Sequence, residues 1–348
     1  MAKSKKSKYD PRQAGLFDAL FFDDEEEPLT SEPQECEPEA EPMPDFEVVL
    51  PKTKQPQAPA EPKPEPKPAV RLRFMSFGSG SSGNCSYIGN DDGGILIDAG
   101  VDSDFVFKSL QKNGISPEMV KGIILTHDHG DHVRYAYTIV RRYKHMRIYS
   151  TPRLMNGLLR RHNISRRIKD YHENVYKEIP FKIADFTITA FDTSHDGTDN
   201  MGFLIENADR RFVVATDMGS ITHRAEHYMK QANYLMLESN YDNTMLTEGS
   251  YPEYLKQRIR KDNGHLDNVV AAQFVSENYA EHLKYLFLCH LSNDNNTPEI
   301  ALNTMRSALE AKGVSVGDCS NSVEMRTRAL QLFALPRYEC SPLFFLTE

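Results

Sequence analysis

The sequence contains no long apolar run: no window approaches the roughly 20 apolar residues that a membrane-spanning helix requires. Near its start only Gly15 to Phe22 is apolar, and Asp18 interrupts it before a run of acids begins at Asp23. That is too short for the core of a secretion signal. Cysteine is sparse. Cys36, Cys85, Cys289, Cys319 and Cys340 form an odd, scattered set without a Cys-x-x-Cys pair, so neither a disulfide framework nor a thiolate zinc site is indicated. No internal repeat of solenoid period is present. These absences set the expectation of a soluble, cytoplasmic protein with no membrane partner.

Charge is present but unevenly distributed. The net charge is -9, yet residues 1 to 70 alone hold 16 acids and 9 bases, and 13 of the 20 prolines. Such a segment cannot bury enough apolar surface to offset its ordering entropy, and its Glu-Pro-Lys-Pro end suits an extended spacer. Residues 1-70 are therefore expected to be a disordered acidic tail, and 71-348 the folded domain. Within the latter, Arg134 to Lys182 carries 13 Lys and Arg against Asp170, Glu173 and Glu178, a local +10. A polyphosphate backbone is the partner such a stretch suits.

The periodicity alternates between strands and helices. Arg71 to Phe77, Cys85 to Ile88 and Gly94 to Ile97 read as short strands, followed by a helix around Asp104 to Asn113 and an apolar strand Gly122 to Leu125. Helices are expected over Val133 to Tyr143 and Pro152 to Arg161. Strands are expected over Arg147 to Ser150, Phe186 to Phe191, Gly202 to Glu206, Arg211 to Thr216, Tyr234 to Glu238 and Tyr285 to Cys289. Thr297 followed by Pro298 marks one further helix start. The whole reads as an α/β domain whose strands feed polar loops.

Two loops could carry chemistry. Gly78-Ser79-Gly80-Ser81-Ser82-Gly83 matches the glycine spacing of a dinucleotide site, but the residues after it read as a strand rather than the helix that would hold a pyrophosphate. A tight turn is the better reading. The stronger signal is His127-x-His129-x-Asp131-His132 at the end of an apolar strand, since imidazoles and carboxylates are the borderline donors that zinc prefers. Partners occur downstream at strand ends: His195 in Thr-Ser-His-Asp, Asp217 in Ala-Thr-Asp, and His290 in Cys-His-Leu-Ser.

With these motifs in this order, residues 71 to 348 resemble the metallo-β-lactamase superfamily. The resemblance implies an αββα sandwich, two mixed sheets face to face with helices outside and metals at one edge. It implies that His127, His129 and His195 hold one divalent ion and Asp131, His132 and His290 a second, with Asp217 bridging. Zinc is the first expectation for both ions and manganese the alternative. Asp98, in Leu-Ile-Asp-Ala-Gly, matches an orienting acid rather than a ligand.

Local features sort among the superfamily's chemistries. A secreted β-lactamase would carry a signal peptide and often Cys in place of Asp217, and a thioester or lactone hydrolase has no use for the basic stretch. The segments Gly78 to Asn84, Leu237 to Asn240, Gly264 to Asn268 and His290 to Asn296 resemble the YycJ (WalJ)-type branch, implicated in DNA exonuclease activity. Tyr241 and Asp267 depart from that pattern, standing where His and Ser are expected. The interval from Asp217 to His290, 290 - 217 = 73 positions, has no room for the inserted cap of the β-CASP nucleases.

The expectation is a metal-dependent phosphodiesterase acting on nucleic acid, foremost a DNA exonuclease, 5′-to-3′ as the resemblance implies, with an RNA-processing nuclease or a small-molecule thioester or lactone hydrolase of the same fold as the alternatives. A binding protein that had lost catalysis would show eroded ligands, and all seven are present. Asp131 and Asp217 are the expected catalytic carboxylates, and His265 the candidate for substrate contact or leaving-group protonation. In the tail, Gln13-Ala14-Gly15-Leu16-Phe17 resembles the Gln-x-x-Leu-Phe peptides with which bacterial DNA-processing proteins dock on the sliding clamp, so a clamp is a candidate partner.

Overall fold

The structure is a computed structural model that describes residues 72–320 and 322–346. The acidic tail and the Gln13 to Phe17 peptide lie outside the described residues. Two mixed sheets carry the fold. The first contains β1 (Leu72–Gly78), β2 (Cys85–Gly89), β3 (Gly94–Ile97), β4 (Val120–Ile124), β5 (Arg147–Ser150) and β6 (His172–Asn174) in that spatial order, with β15 (Phe344–Leu346) beside β1. The second runs β13 (Val316–Gly317), β14 (Leu330–Ala334), β12 (Tyr285–Cys289), β11 (Tyr234–Glu238), β10 (Arg210–Ala215), β9 (Met201–Asn207), β8 (Phe186–Asp192) and β7 (Phe181–Ile183).

The sheets pack face to face through aromatic rings. Phe74 of β1 meets Phe212 of β10 at 4.9 Å and Phe287 of β12 at 4.6 Å between ring centres, so one core joins the two layers. The central strands are buried on both faces, which explains why Tyr-Leu-Met-Leu in β11 and Tyr-Leu-Phe-Leu-Cys in β12 are apolar without alternation. Tyr234 and Met236 point into the inter-sheet core, whereas Leu235 and Leu237 pack with a second cluster against outer helices.

Helices cover the outer faces. On the first sheet lie α1 (Ser103–Lys112), α2 (Gly130–Val133), α3 (Ala136–Arg142) and α4 (Pro152–Arg161). On the second lie α5 (His223–Met229), α8 (Asn268–Glu277) and α9 (Pro298–Ala311), with α6 (Asn243–Glu248) and α7 (Glu253–Arg260) preceding α8. Their starts are chemically marked: the Asp102, Thr151 and Thr297 side chains accept first-turn backbone N–H groups, and Pro152 and Pro298 follow two of these caps.

The single helix expected over Val133 to Tyr143 is instead two, α2 and α3. The amide of Tyr135 would need the Asp131 carbonyl to continue the first helix, but that carbonyl accepts the Asn84 amide at 2.8 Å and Tyr135 donates to Ala99 at 2.8 Å. The helix breaks because the glycine-rich loop takes its acceptor. That loop is followed by strand β2, as a turn rather than a dinucleotide site requires. Tyr241 and Asp267 form an isolated parallel bridge, and the Asp267 carboxylate caps α8 at Val269 N. A serine could cap there too, so the departure at Asp267 has a structural role.

Candidate metal centre

Asp98 and every expected metal ligand fall at or just beyond the carboxyl end of a strand, whereas His265 lies in the connection between α7 and α8. Asp98 follows β3 and His127 to His132 follow β4, while His195 follows β8, Asp217 follows β10 and His290 follows β12. The two sheets thus contribute from opposite sides. Three of these residues, Asp98, Asp217 and His290, hold positive φ angles of 61°, 51° and 53°, a costly backbone for non-glycine residues. Surrounding bonds enforce it: Asp98 N donates to Ile124 O at 2.9 Å, and His290 N to Ser79 Oγ at 2.8 Å. Gly100 is required by close approach, since a Cβ there would lie 1.5 Å from the Asp131 carbonyl oxygen.

The donor atoms form overlapping groups, among them His127 with His129 and His195 and Asp131 with His132 and His290, while His127 also groups with His132 and Asp217. Asp217 stands between the first two. Its Oδ1 is 3.8 Å from His195 Nε2 and 3.4 Å from His290 Nε2, and its Oδ2 is 3.4 Å from His132 Nε2. Within the groups, His195 Nε2 is 3.3 Å from His129 Nδ1, and Asp131 Oδ2 is 3.6 Å from both His132 Nε2 and His290 Nε2. Ligands about 2.0–2.1 Å from a tetrahedral ion stand roughly 3.3–3.4 Å from one another.

The chemistry of the donors fits divalent cations as well as their spacing does. His127 Nε2 and His290 Nε2 are buried and have no hydrogen-bond partner among the described residues, which is costly unless something else satisfies them. Burial holds the His127 imidazole well below its ordinary range and lowers His129 to about 3, leaving both as neutral electron-pair donors. His132 behaves oppositely. Burial opposes its charge, but Asp217, Asp98 and Asp131 outweigh burial and push it up to about 9. The Asp217 carboxyl is likewise disfavoured by burial, yet His290, His132 and His127 hold it well below the usual carboxylate range.

A further set of groups orients these donors. Asp98 Oδ2 lies 2.7 Å from His132 Nδ1 while Oδ1 accepts the Thr126 amide at 2.8 Å, placing this acid behind the donor as expected. Three other orienting groups were not apparent in the sequence. Asn84 Nδ2 donates to Asp131 Oδ2 at 3.2 Å and lies 2.8 Å from His132 Nε2. Asp196 stands 3.3 Å from His129 Nε2 and is gripped by Arg258 of α7 at 2.8 and 2.7 Å. Glu238, fully buried at the end of β11, accepts from Met218 N and His265 Nδ1, each at 2.7 Å, and is 3.2 Å from His290 Nδ1. An acid closing an otherwise apolar strand was the available signal.

His265 joins the site rather than the outer surface. Its ring stacks on His290 at 5.2 Å, its Nδ1 is 3.9 Å from Asp217 Oδ1, and it groups with Asp217, Glu238 and His290 as a potential donor. Around the site, 11 of the 13 cations of Arg134 to Lys182 are exposed, so the segment is a cationic surface rather than an internal ion-pair network. Arg161 lies 3.5 Å from the buried Asp128 between two site histidines, whereas Arg153, Arg160, Arg166 and Arg167 make no ion pair among the described residues. No helix among the described residues is long and apolar enough to cross a membrane.

Two facing mixed sheets, outer helices and converging histidine and aspartate clusters at strand ends define a metal-dependent hydrolase. The family model of the beta-lactamase superfamily domain matches residues 94–287. Exodeoxyribonuclease YycJ of Bacillus anthracis is 31% identical over 246 residues, covering 70% of this chain and 92% of the relative. Exodeoxyribonuclease WalJ of Streptococcus pneumoniae is 30% identical over 240 residues, covering 69% and 88%. Among solved structures, the metallo-β-lactamase fold protein YhfI from Bacillus subtilis superposes with a TM-score of 0.55 at 14% identity, over 78% of this chain and 99% of that one. Zinc-bound PqqB from Methylobacterium extorquens gives 0.51 at 14%, over 78% and 100%. The chain belongs to the metallo-β-lactamase superfamily, in its YycJ-type branch.

Proposed function

We propose that this chain is a phosphodiesterase that shortens nucleic acid from an end using two divalent ions, with DNA as the polymer and 5′-to-3′ as the direction. The observation that carries the reading is Asp217, whose carboxylate lies within 3.4–3.8 Å of His195 from one donor group and of His132 and His290 from the other, groups to which both sheets contribute. His127, His129 and His195 would hold one ion and Asp131, His132 and His290 the other, zinc being favoured by the imidazole-rich set and manganese the alternative. Bound there, such ions lower the pKa of water toward about 7 and offset charge on phosphate oxygens.

The chain's own residues supply the rest. Asp131, held by Asn84, orients the attacking water and accepts its proton. Glu238 fixes His265 by accepting its Nδ1–H, so that in the doubly protonated ring the second proton, on Nε2, passes to the departing oxygen and leaves the neutral imidazole. The exposed cations of α3, α4 and the turn at Arg166–Tyr171 hold the phosphate backbone. The branch relatives are named exodeoxyribonucleases, which supports DNA as the polymer.

The deciding experiment incubates the protein with end-labelled duplex DNA, single-stranded DNA and RNA in zinc, manganese or magnesium and resolves the products. A ladder of mononucleotide steps from the 5′ end of DNA is expected. Internal cuts, or turnover of RNA alone, would overturn the assignment.

A further inference from the structure

A groove of about 420 Å³ runs between α1 and residues 338–340, lined by Phe105, Ser109, Lys112, Tyr338 and Glu339 over a floor that includes Met75. This volume lies within the range of small-ligand clefts. Two of its walls are aromatic rings left open to solvent, Tyr338 at 56% and Phe105 at 39% exposure. Lys112 adds a cation and Glu339 an acceptor.

The ring of Tyr338 is exposed but held. Its hydroxyl accepts from Arg337 Nε at 3.1 Å and donates to Asn293 Oδ1 at 3.4 Å, and the Arg337 guanidinium lies 5.5 Å from the ring centre. Arg337 in turn ties the shelf to the metal centre. Its Nη1 donates to the carbonyl of Leu291, the residue after His290, at 2.7 Å, and its Nη2 bonds Ser81 in the glycine-rich loop. That loop also supplies Ser79, which holds His290 N, and leads into Asn84, which holds Asp131 and His132. A ligand seated on Tyr338 therefore sits beside groups already fixed relative to the candidate donors.

A flat ring with both polar ends of its hydroxyl satisfied offers its face, and the ligand chemistry that uses an aromatic face next to a phosphate-cleaving centre is a nucleobase. We propose that Tyr338 and Phe105 form a stacking shelf for the unpaired nucleobase that adjoins the cleaved phosphate, with Lys112 meeting a backbone phosphate farther along the strand. The proposal rests on the nuclease reading and deepens it: the shelf takes an unpaired base, so the site accepts a frayed or single-stranded end. Because any base has a π face, the shelf is tolerant of sequence.

The test uses the full-length, metal-loaded protein and its Tyr338→Ala, Tyr338→Phe and Phe105→Ala variants. Each is assayed on a single-stranded oligonucleotide, on the same oligonucleotide with an abasic residue at the terminal or adjoining position, and on bis(p-nitrophenyl) phosphate. Loss of one stacked base typically costs roughly 5- to 100-fold. Tyr338→Ala is expected to lower kcat/KM for the intact oligonucleotide by about tenfold, mainly through KM, with Tyr338→Phe near wild type and the small diester unaffected. The abasic substrate should lower wild-type kcat/KM by a similar factor and leave Tyr338→Ala indifferent to the base.

Equal losses on base-bearing and abasic substrates, or no loss in either alanine variant, would overturn the shelf while leaving the nuclease reading intact. If wild-type protein hydrolyses the small diester but no oligonucleotide, the nuclease reading itself fails, and the shelf with it.

Discussion

Asp217 combines two costs, a buried charge and a left-handed backbone, in one residue. Asparagine tolerates that backbone region, so Asp217→Asn removes the charge while keeping the conformation. Elemental analysis should find about two ions per wild-type chain and fewer in this variant, with turnover abolished. Full activity at unchanged metal content would end the two-ion mechanism. Glu238 supports two histidines at once, so Glu238→Gln should reduce metal affinity or kcat by roughly 10- to 100-fold, the usual range for groups that orient donors. A pH–rate profile should also shift if the His265 proton is used, which a purely structural carboxylate would not cause. The candidate donors stand out in the sequence because histidine and aspartate cluster in recognisable loops. Glu238, Asn84 and Asp196 do not, because their roles depend on which loops the two sheets bring together.

At the scale of elements, α4 and the turn at Arg166–Tyr171 carry the most useful test. Reversing Arg160, Arg161, Arg166 and Arg167 together would disturb the pairing of Arg161 with Asp128, which sits between two candidate donors. Reversing Arg153, Arg160, Arg166 and Arg167 to Glu avoids it. This variant should bind DNA more weakly, with the slope of log affinity against log salt reduced by about 0.9 for each phosphate no longer neutralised, while hydrolysis of a small diester persists. Unchanged DNA affinity would mean that the cations merely keep this face solvated. The central strands β11 and β12 have the bounds expected from the sequence because burial on both faces leaves uninterrupted apolar runs, whereas β5 is marked by alternate burial. The helices α5 to α8 and the strands β13 to β15 were not expected. β15 has three residues and owes its existence to β1, more than 260 positions earlier, a pairing that no local pattern encodes.

Over the whole molecule, bound ions act as ligands of the native state alone. Saturation at 1,000 times Kd would add about 4 kcal/mol per site, and a domain of this size shifts by roughly 2–4 °C per kcal/mol. Chelation should therefore lower Tm by about 10 °C or more in calorimetry, and a change of under ~2 °C would argue against tightly held ions. The distribution of donors has a further consequence for synthesis. One sheet supplies His127 to His132, and the other supplies His195, Asp217 and finally His290, so the proposed set is dispersed over 290 - 127 = 163 positions of the chain. On this ligand assignment and the nuclease reading proposed above, a chain cut short before His290 lacks the full donor set, so no such fragment would cleave a nucleic acid.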